Sequence, residues 1–250
     1  MNSPLTTDAN AGKVALVTGG GTGIGRAVTR ELARTGAQVV ICGRRDEPLA
    51  AVQQELGDAC LAVQTDVREP EQVERLVDQA LERFGRIDVL VNNAGGQFLA
   101  PAEEISLKGW RAVHRLAVDA VWDLTRTVAT RSMIPNREGV VVFIGFSPRR
   151  GMADFAHAAA ARAAVENLAG SLAVEWGKHG IRTVHVALGN IATEALDGYG
   201  ADRVAEWAKE VPLGRLGKPE EAAALIAFLV SSGGAYVSGT TVVMDGGLDV

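Results

Sequence analysis

"KVALVTGGGTGIG", Lys13–Gly25, decides the fold. Its first half is a run of apolar, mostly β-branched residues without polar alternation. That pattern reads as a strand buried on both faces. Glycines follow at once, and "GIGRAVTRELARTGA" then places apolar residues at helical spacing until Gly36. Strand, glycine turn and helix in this order aim free backbone N–H groups at an anion that the bare backbone can approach closely. The stretch therefore predicts a nucleotide site with Gly19, Gly21, Thr22, Gly23, Ile24 and Gly25 as binding residues.

The same alternation continues outward. "QVVICGRR", "ACLAVQTDV", "IDVLVNNAGG", "GVVVFIGF", "IRTVHVALGN" and "TTVVMDGG" read as six more strands. Helical patterns separate them: "DEPLAAVQQELG", "EPEQVERLVDQALERFG", about Ser106–Met133, Ala153–Lys178 and "KPEEAAALIAFLVS". The segment between the sixth strand and the last helix reads as irregular. Continuous apolar strands divided by helices imply a parallel sheet covered on both faces. No linker or composition break divides the chain, so residues 1–250 are expected to form a single domain. The expected fold class is α/β, a Rossmann-like doubly wound parallel sheet of seven strands.

Composition narrows the function classes. A formal net charge of -5 argues against bulk binding to nucleic acid or an anionic membrane. The N-terminal segment has no apolar signal core, and no long charge-free apolar run spans a membrane. The two cysteines, Cys42 and Cys60, lie in strand-like runs and read as buried thiols in a reducing compartment. A cytoplasmic protein without a metal site is the expectation. At the end of the second strand stand Arg44 and Arg45, where an acidic residue would hold a ribose 2′-hydroxyl. Paired guanidinium groups suit a 2′-phosphate instead, which points to NADP(H) as cofactor.

With "TGGGTGIG" (Thr18–Gly25), "TDV" (Thr65–Val67), "NNAG" (Asn92–Gly95) and "DGG" (Asp245–Gly247), nearly the whole chain resembles the short-chain dehydrogenase/reductase family. The resemblance implies that Asp66 and Val67 flank the adenine and that Asn93, Ala94 and Gly95 line the cofactor. It places Gly189, Ile191 and Thr193 beside the nicotinamide. Leu188-Gly189 departs there from the family's Pro-Gly, a change expected to loosen the loop. It also suggests a homotetramer built on the two long helices. "NNAGGQFLAPAEEISLKGW" (Asn92–Trp110) and "AARAAVENLAGSLAVEWGKHGIR" (Ala160–Arg182) are more particularly similar to trans-2-enoyl-CoA reductases and, more distantly, 2,4-dienoyl-CoA reductases.

Carried over by position, the family's catalytic Asn, Ser, Tyr and Lys fall on Ala117, on Gly145 or Phe146, on Ala158 and on Arg162. Alanine cannot donate the proton that a reduced carbonyl needs, and arginine is a poor proton relay. The enoyl-CoA reductases that the chain resembles also lack the Tyr–Lys pair and carry an Arg. An unsaturated thioester takes hydride at carbon and becomes an enolate, so it needs oxyanion stabilisation before it needs an acid. Candidates for the chemistry are Arg162, which would hold the nicotinamide ribose, His157 beside the lost Tyr, Ser147 one residue past the Ser slot, and Tyr199 in the mobile substrate loop. Each has a plain structural alternative: a helix-start backbone contact for His157, a turn before Pro148 for Ser147, and packing under a lid for Tyr199. Asp119 reads as a surface or interface residue, and Arg149 and Arg150 as a solvated charge pair or as contacts for an acidic substrate such as coenzyme A. Three functions stay open on the sequence. The first is an NADP(H)-dependent reductase of an activated C=C or C=O group, possibly an enoyl thioester. The others are a non-catalytic NADP(H)-binding protein and a repurposed enzyme for a non-redox or specialised-metabolite reaction.

Overall fold

The computed structural model describes residues 3–146 and 151–249. Among them, seven strands form one sheet: β1 (Val14–Thr18), β2 (Gln38–Gly43), β3 (Cys60–Gln64), β4 (Val89–Asn92), β5 (Gly139–Phe146), β6 (Ile181–Leu188) and β7 (Thr240–Met244). Their order is β3-β2-β1-β4-β5-β6-β7, and every pairing is parallel. Successive residues of a strand face opposite sides of the sheet. Because helices cover both sides, neither set can be polar, and β1 is buried at all five positions. Val17, Ile41, Val142 and Val186 pack on one side with Leu32 of α1 (Gly23–Arg34) and Ile226 of α9 (Pro219–Val230). On the other side Leu16, Val40, Val141 and Phe143 meet Leu76 of α3 (Pro70–Phe84), Leu124 and Val165. The remaining helix beside β2 and β3 is α2 (Asp46–Leu56).

The long helix after β4 is continuous over 107–136 but not uniform. It runs as α4 (Leu107–His114), a π turn (Arg115–Asp119), α5 (Ala120–Val128), a second π turn (Ala129–Met133) and a last turn, α6 (Ile134–Asn136). Ala117 sits inside the first π turn, a widened turn of the kind that proteins often place at functional sites. The alanine-rich helix α7 (Ala156–Trp176) starts three residues later than its pattern suggests. Asp154 there takes a left-handed φ of 67°, which no helix accommodates. The segment expected to be irregular contains a 3₁₀ stretch (Glu194–Tyr199) and α8 (Ala201–Glu210). No residue of α8 is fully buried; Val204, Trp207 and Ala208 are half-buried on its inner side. No helix among the described residues is long and apolar enough to cross a membrane.

Candidate active site

The strand order reverses between β1 and β4, whose connections leave to opposite faces of the sheet. In a doubly wound sheet a crevice opens at such a switch point beyond the strands' C-terminal ends. Here it is a cleft of about 610 Å³. Gly19, Gly21, Thr22, Gly23 and Ile24 form its floor, Arg44, Arg45, Asp66 and Val67 one end, and Asn93, Ala94, Gly95 and Thr193 the other. The floor fits a dinucleotide. A Cβ on Gly21 would press on Pro48 at 3.1 Å. Gly23 has φ 50° and opens toward Thr193. The side chain of Thr22, the cap of α1, makes no cap hydrogen bond, and the first turn carries no acid. That leaves an electropositive helix end facing the cleft. Gly25 does not line it. A Cβ there would overlap the Gly19 carbonyl, so its role is to let α1 pack on the β1 turn.

At one end the Arg44 and Arg45 side chains are exposed, with no ion pair among the described residues. Gln64 Nε2 donates to the Arg44 carbonyl at 2.9 Å and pins the strand end beneath them. Asp66 is engaged sideways: Arg68 donates from its side chain and its backbone N–H to the carboxylate. Those bonds hold the Asp66 carboxyl down at about 2. Asp66 N–H donates to Gln72 Oε1 at 2.9 Å, which fixes the turn after β3.

At the other end the three residues expected beside the nicotinamide are distributed over two cavities. Gly189 and Ile191 lie outside the cleft and border a separate cavity of about 110 Å³ with Asp245 and Gly246. Gly189 N–H donates to Met244 O at 3.0 Å, and Ile191 is buried in a bridge to Gly217. The loop is thus tied at both points rather than loosened by Leu188, which ends β6 as a buried residue. Thr193 alone of the three reaches the cleft. Next to it Glu194, which nothing in the sequence singles out, also lines the cleft and forms an ion pair with Arg26 of α1. Glu194's own backbone N–H foremost, then Arg26 and the Gly23 N–H, hold its carboxyl below the usual carboxylate range.

Beyond Gly95 the character changes. Val113, Ala117, Phe155, Ala158 and Ala161 close into one apolar cluster. Ala117 from the π turn and Ala158 from α7 thus belong to one cluster, as a shared site requires, but both bring only methyl groups to it. Tyr199 packs on the cluster, with Phe155 at 6.4 Å and Trp207 of α8 at 5.2 Å between ring centroids. Arg203 holds α8 down through an ion pair to Asp154 at 3.0 Å. Tyr199 is thus part of a lid, and no hydrogen bond engages its hydroxyl among the described residues. Arg162 is half-buried: Nη1 donates to Ile144 O at 2.7 Å, and Nη2 stands where a Cβ on Gly95 would be. Burial pulls its guanidinium down to about 10, still charged at neutral pH.

His157 makes no backbone contact. It is fully buried and stacks on Phe98 with ring centroids 4.2 Å apart, and among the described residues neither ring nitrogen has a hydrogen-bond partner. Burial, then the nearby His114, lowers its pKa, so it is a weaker reserve of protons at neutral pH than an ordinary histidine. Ser147, Arg149 and Arg150 lie outside the described residues. Asp119 is exposed, as a surface charge should be.

Residues 19–249 match the family model described as Enoyl-(Acyl carrier protein) reductase. The chain is 37% identical over 249 residues to a "Probable 2,4-dienoyl-CoA reductase [(2E)-enoyl-CoA-producing]" of Bacillus subtilis (strain 168), covering 94% of this chain and 96% of the relative. Gluconate 5-dehydrogenase of Gluconobacter oxydans (strain 621H) is also 37% identical over 249 residues, covering 96% of each. A short chain dehydrogenase from Bacillus anthracis superposes with a TM-score of 0.90 at 35% identity, covering 98% of both chains. A 3-ketoacyl-(acyl-carrier-protein) reductase from Brucella melitensis, complexed with NADH, gives 0.91 at 31% identity, covering 96% of this chain and 99% of that one. Sheet order, cleft and these similarities agree: the chain belongs to the short-chain dehydrogenase/reductase family, a family of oxidoreductases.

Proposed function

We propose that the chain is an NADP(H)-dependent reductase of an activated C=C or C=O group, most simply an enoyl thioester. The observation that carries this reading is the continuity of the cleft. It runs from Arg44 and Arg45, which form no ion pair among the described residues, to Gly95, and there the charged Arg162 stands beside an apolar cluster. Arg44 and Arg45 would grip a 2′-phosphate, and the α1 N-terminus with Gly19, Gly21 and Gly23 would take the pyrophosphate. Asn93, Ala94, Gly95 and Thr193 would border the nicotinamide. When bound, the cofactor supplies a hydride. Arg162 would orient the ribose and stabilise negative charge developing nearby, a task for which a permanent cation is well suited. Tyr199, His157 and Ser147 are the candidates to support the oxyanion or its proton, with water completing the step. The apolar cluster under the lid excludes water from an acyl chain. The similarity to dienoyl-CoA reductases favours a thioester among the substrates that fit. Buried free thiols at Cys42 and Cys60 favour a reducing cytoplasm.

That Ala117 and Ala158 bring only methyl groups to this cluster favours a second reading, a protein that binds NADP(H) without turning it over. Single-turnover mixing separates the two. NADPH-loaded protein is mixed with a panel of enoyl-CoAs, quinones and aromatic ketones, and absorbance loss is followed together with product mass. The reductase reading expects oxidation by at least one panel member and a loss of roughly 100-fold in Arg162→Ala. No oxidation by any member supports the binding reading. We also infer a homotetramer built on α5 and α7. Trp122 and Val174, exposed at 41% and 85%, stand on those helices. A shallow groove on α7 is floored by Ala163, Gly170 and Ser171, small enough for close helix approach. Val174→Glu should shift the sedimentation coefficient to a smaller species.

A further inference from the structure

β5 and β6 run in parallel with Phe143 opposite His185 and Gly145 opposite Ala187. These side chains all point to the α7 face of the sheet. His185 is fully buried in the middle of an apolar strand, and among the described residues its Nε2 has no hydrogen-bond partner. A buried imidazole nitrogen left bare is costly, so its surroundings call for a reason. Nε2 points at Gly145: a Cβ added there would overlap it. The ring occupies the volume that a side chain at 145 would fill, at the C-terminal end of β5. The neighbouring carbonyl, Ile144 O, accepts from Arg162 Nη1. The other ring nitrogen is held. Nδ1 is 3.4 Å from Thr241 Oγ1 on β7, and Thr241 donates at 2.6 Å to Glu166 Oε1 on α7. A hydroxyl that gives its proton to a carboxylate is left to accept, so Nδ1 carries the imidazole proton and Nε2 presents a lone pair.

We propose that His185 is an acid–base group of this enzyme, oriented by Glu166 through Thr241 and presented at the position that Gly145 leaves bare. The arrangement is a base whose far nitrogen is fixed by a carboxylate, here with a hydroxyl between them. For a carbonyl substrate, in the oxidation direction the alcohol O–H would break and its proton bond to Nε2, while the C–H on the same carbon breaks and its hydride goes to the nicotinamide. In reduction Nε2, neutral at rest, would take a proton from water only as the oxyanion forms and pass it to that oxygen. The charged or titratable side chains facing the ring are Glu166 and Arg162, both on α7; β5 offers Gly145 and β7 offers Thr241. The proposal rests on the reductase reading above.

The test uses the full chain labelled with ¹⁵N-histidine. In the wild type at pH 7.5, His185 should show a protonated Nδ1 and an unprotonated Nε2. The Nε2 resonance should move when crotonyl-CoA or acetoacetyl-CoA is added with NADP⁺, a pair that cannot react by reduction. Thr241→Val, nearly unchanged in volume, should shift the tautomer ratio toward protonated Nε2. On any substrate the wild type turns over, Thr241→Val should lower kcat about 10-fold or more at unchanged KM, and displace the acid limb of the kcat profile. A protonated Nε2 in the wild type, a tautomer ratio indifferent to Thr241→Val, or an unchanged kcat overturns the proposal. If no panel compound is turned over, the reductase reading fails by itself, and the tautomer measurement still judges the relay.

Discussion

The two ends of the cleft are built from different materials. At the dinucleotide end the working parts are backbone: a helix N-terminus, glycines at 19, 21 and 23, and strand ends set by β1, β2 and β4. At the substrate end they are side chains, and there Ala117 and Ala158 bring only methyl groups while Gly145 has none. Backbone devices depend on conformation and tolerate much change in the surrounding sequence. Side-chain devices can be exchanged one residue at a time, with cations, imidazoles or a lid tyrosine taking new places. The difference teaches that the first end reports the cofactor, while the chemistry has to be read from what surrounds the second.

The largest expected effect strikes the backbone end. Gly23 has φ 50°, and a Cβ would stand 3.4 Å from Thr193 at the cleft mouth. A β-branched residue in that conformation costs on the order of 1–3 kcal/mol. Its side chain also projects where a pyrophosphate must approach. Gly23→Val should therefore lose NADPH binding by at least about 100-fold in calorimetry and melt several degrees lower, with its circular dichroism unchanged. Normal binding by the folded variant would mean that the floor of the cleft is not where the phosphates lie.

Next comes the cofactor's distinguishing group. A charge-assisted contact of Arg44 or Arg45 with a 2′-phosphate should contribute about 1.5–3 kcal/mol. The wild type should prefer NADPH over NADH by roughly 10-fold to 100-fold, and Arg44→Ala should lose most of that preference without weakening NADH binding. Equal wild-type affinities would remove the assignment. A preference that survives in Arg44→Ala and disappears in Arg45→Ala would transfer it to the neighbouring side chain.

How much of this was legible in the sequence follows from the same division. Val14–Thr18 and Gly139–Phe146 announce themselves as buried parallel strands because no polar residue interrupts them. The glycine turn and Arg44-Arg45 sit at fixed offsets from a strand end, so their positions in the cleft were legible too. Gly189 and Ile191 were not. Their distance from the cleft depends on Gly217 and Met244, which approach from elsewhere in the chain. His185 was also hidden. It stands inside an evident strand, but its proximity to Gly145 arises from the β5–β6 register and its tautomer from Thr241, 56 residues away. The widened turn at Ala117 has no sequence signal that we can name.

Acid should strain the substrate end in a defined window. Burial foremost, with Arg162 adding to it and Glu166 opposing it, brings His185 from 6.5 down to about 4. Between those values the unfolded chain binds more protons than the folded one, so stability falls as pH drops from about 6.5 to about 4 and this contribution is complete above 6.5. The loss attributable to this group between pH 7.5 and pH 5 is about 2 kcal/mol. Urea unfolding at the two pH values should show a smaller drop in His185→Gln than in the wild type. An equal drop in both would mean that the imidazole is hydrated in solution and that the apolar end is more open than its packing suggests.

The smallest effect concerns the point where the two ends touch. Glu194 belongs to the substrate lid, yet its carboxylate lines the dinucleotide cleft, faces the Gly23 N–H and pairs with Arg26. A carboxylate at a helix N-terminus is stabilised there, but it occupies the same electropositive region that a pyrophosphate would use. Cofactor binding must then displace it or bear its repulsion. The pair is largely exposed, so its own stability is modest and salt-dependent. Glu194→Gln should raise NADPH affinity by about 2-fold to 5-fold, equivalent to about 0.3–1 kcal/mol, and the gain should shrink at high ionic strength. Calorimetric titrations of both proteins at low and high salt measure it. A salt-independent fall in affinity would reverse the interpretation: the Arg26–Glu194 pair would then be closing the lid over the cofactor rather than competing with it.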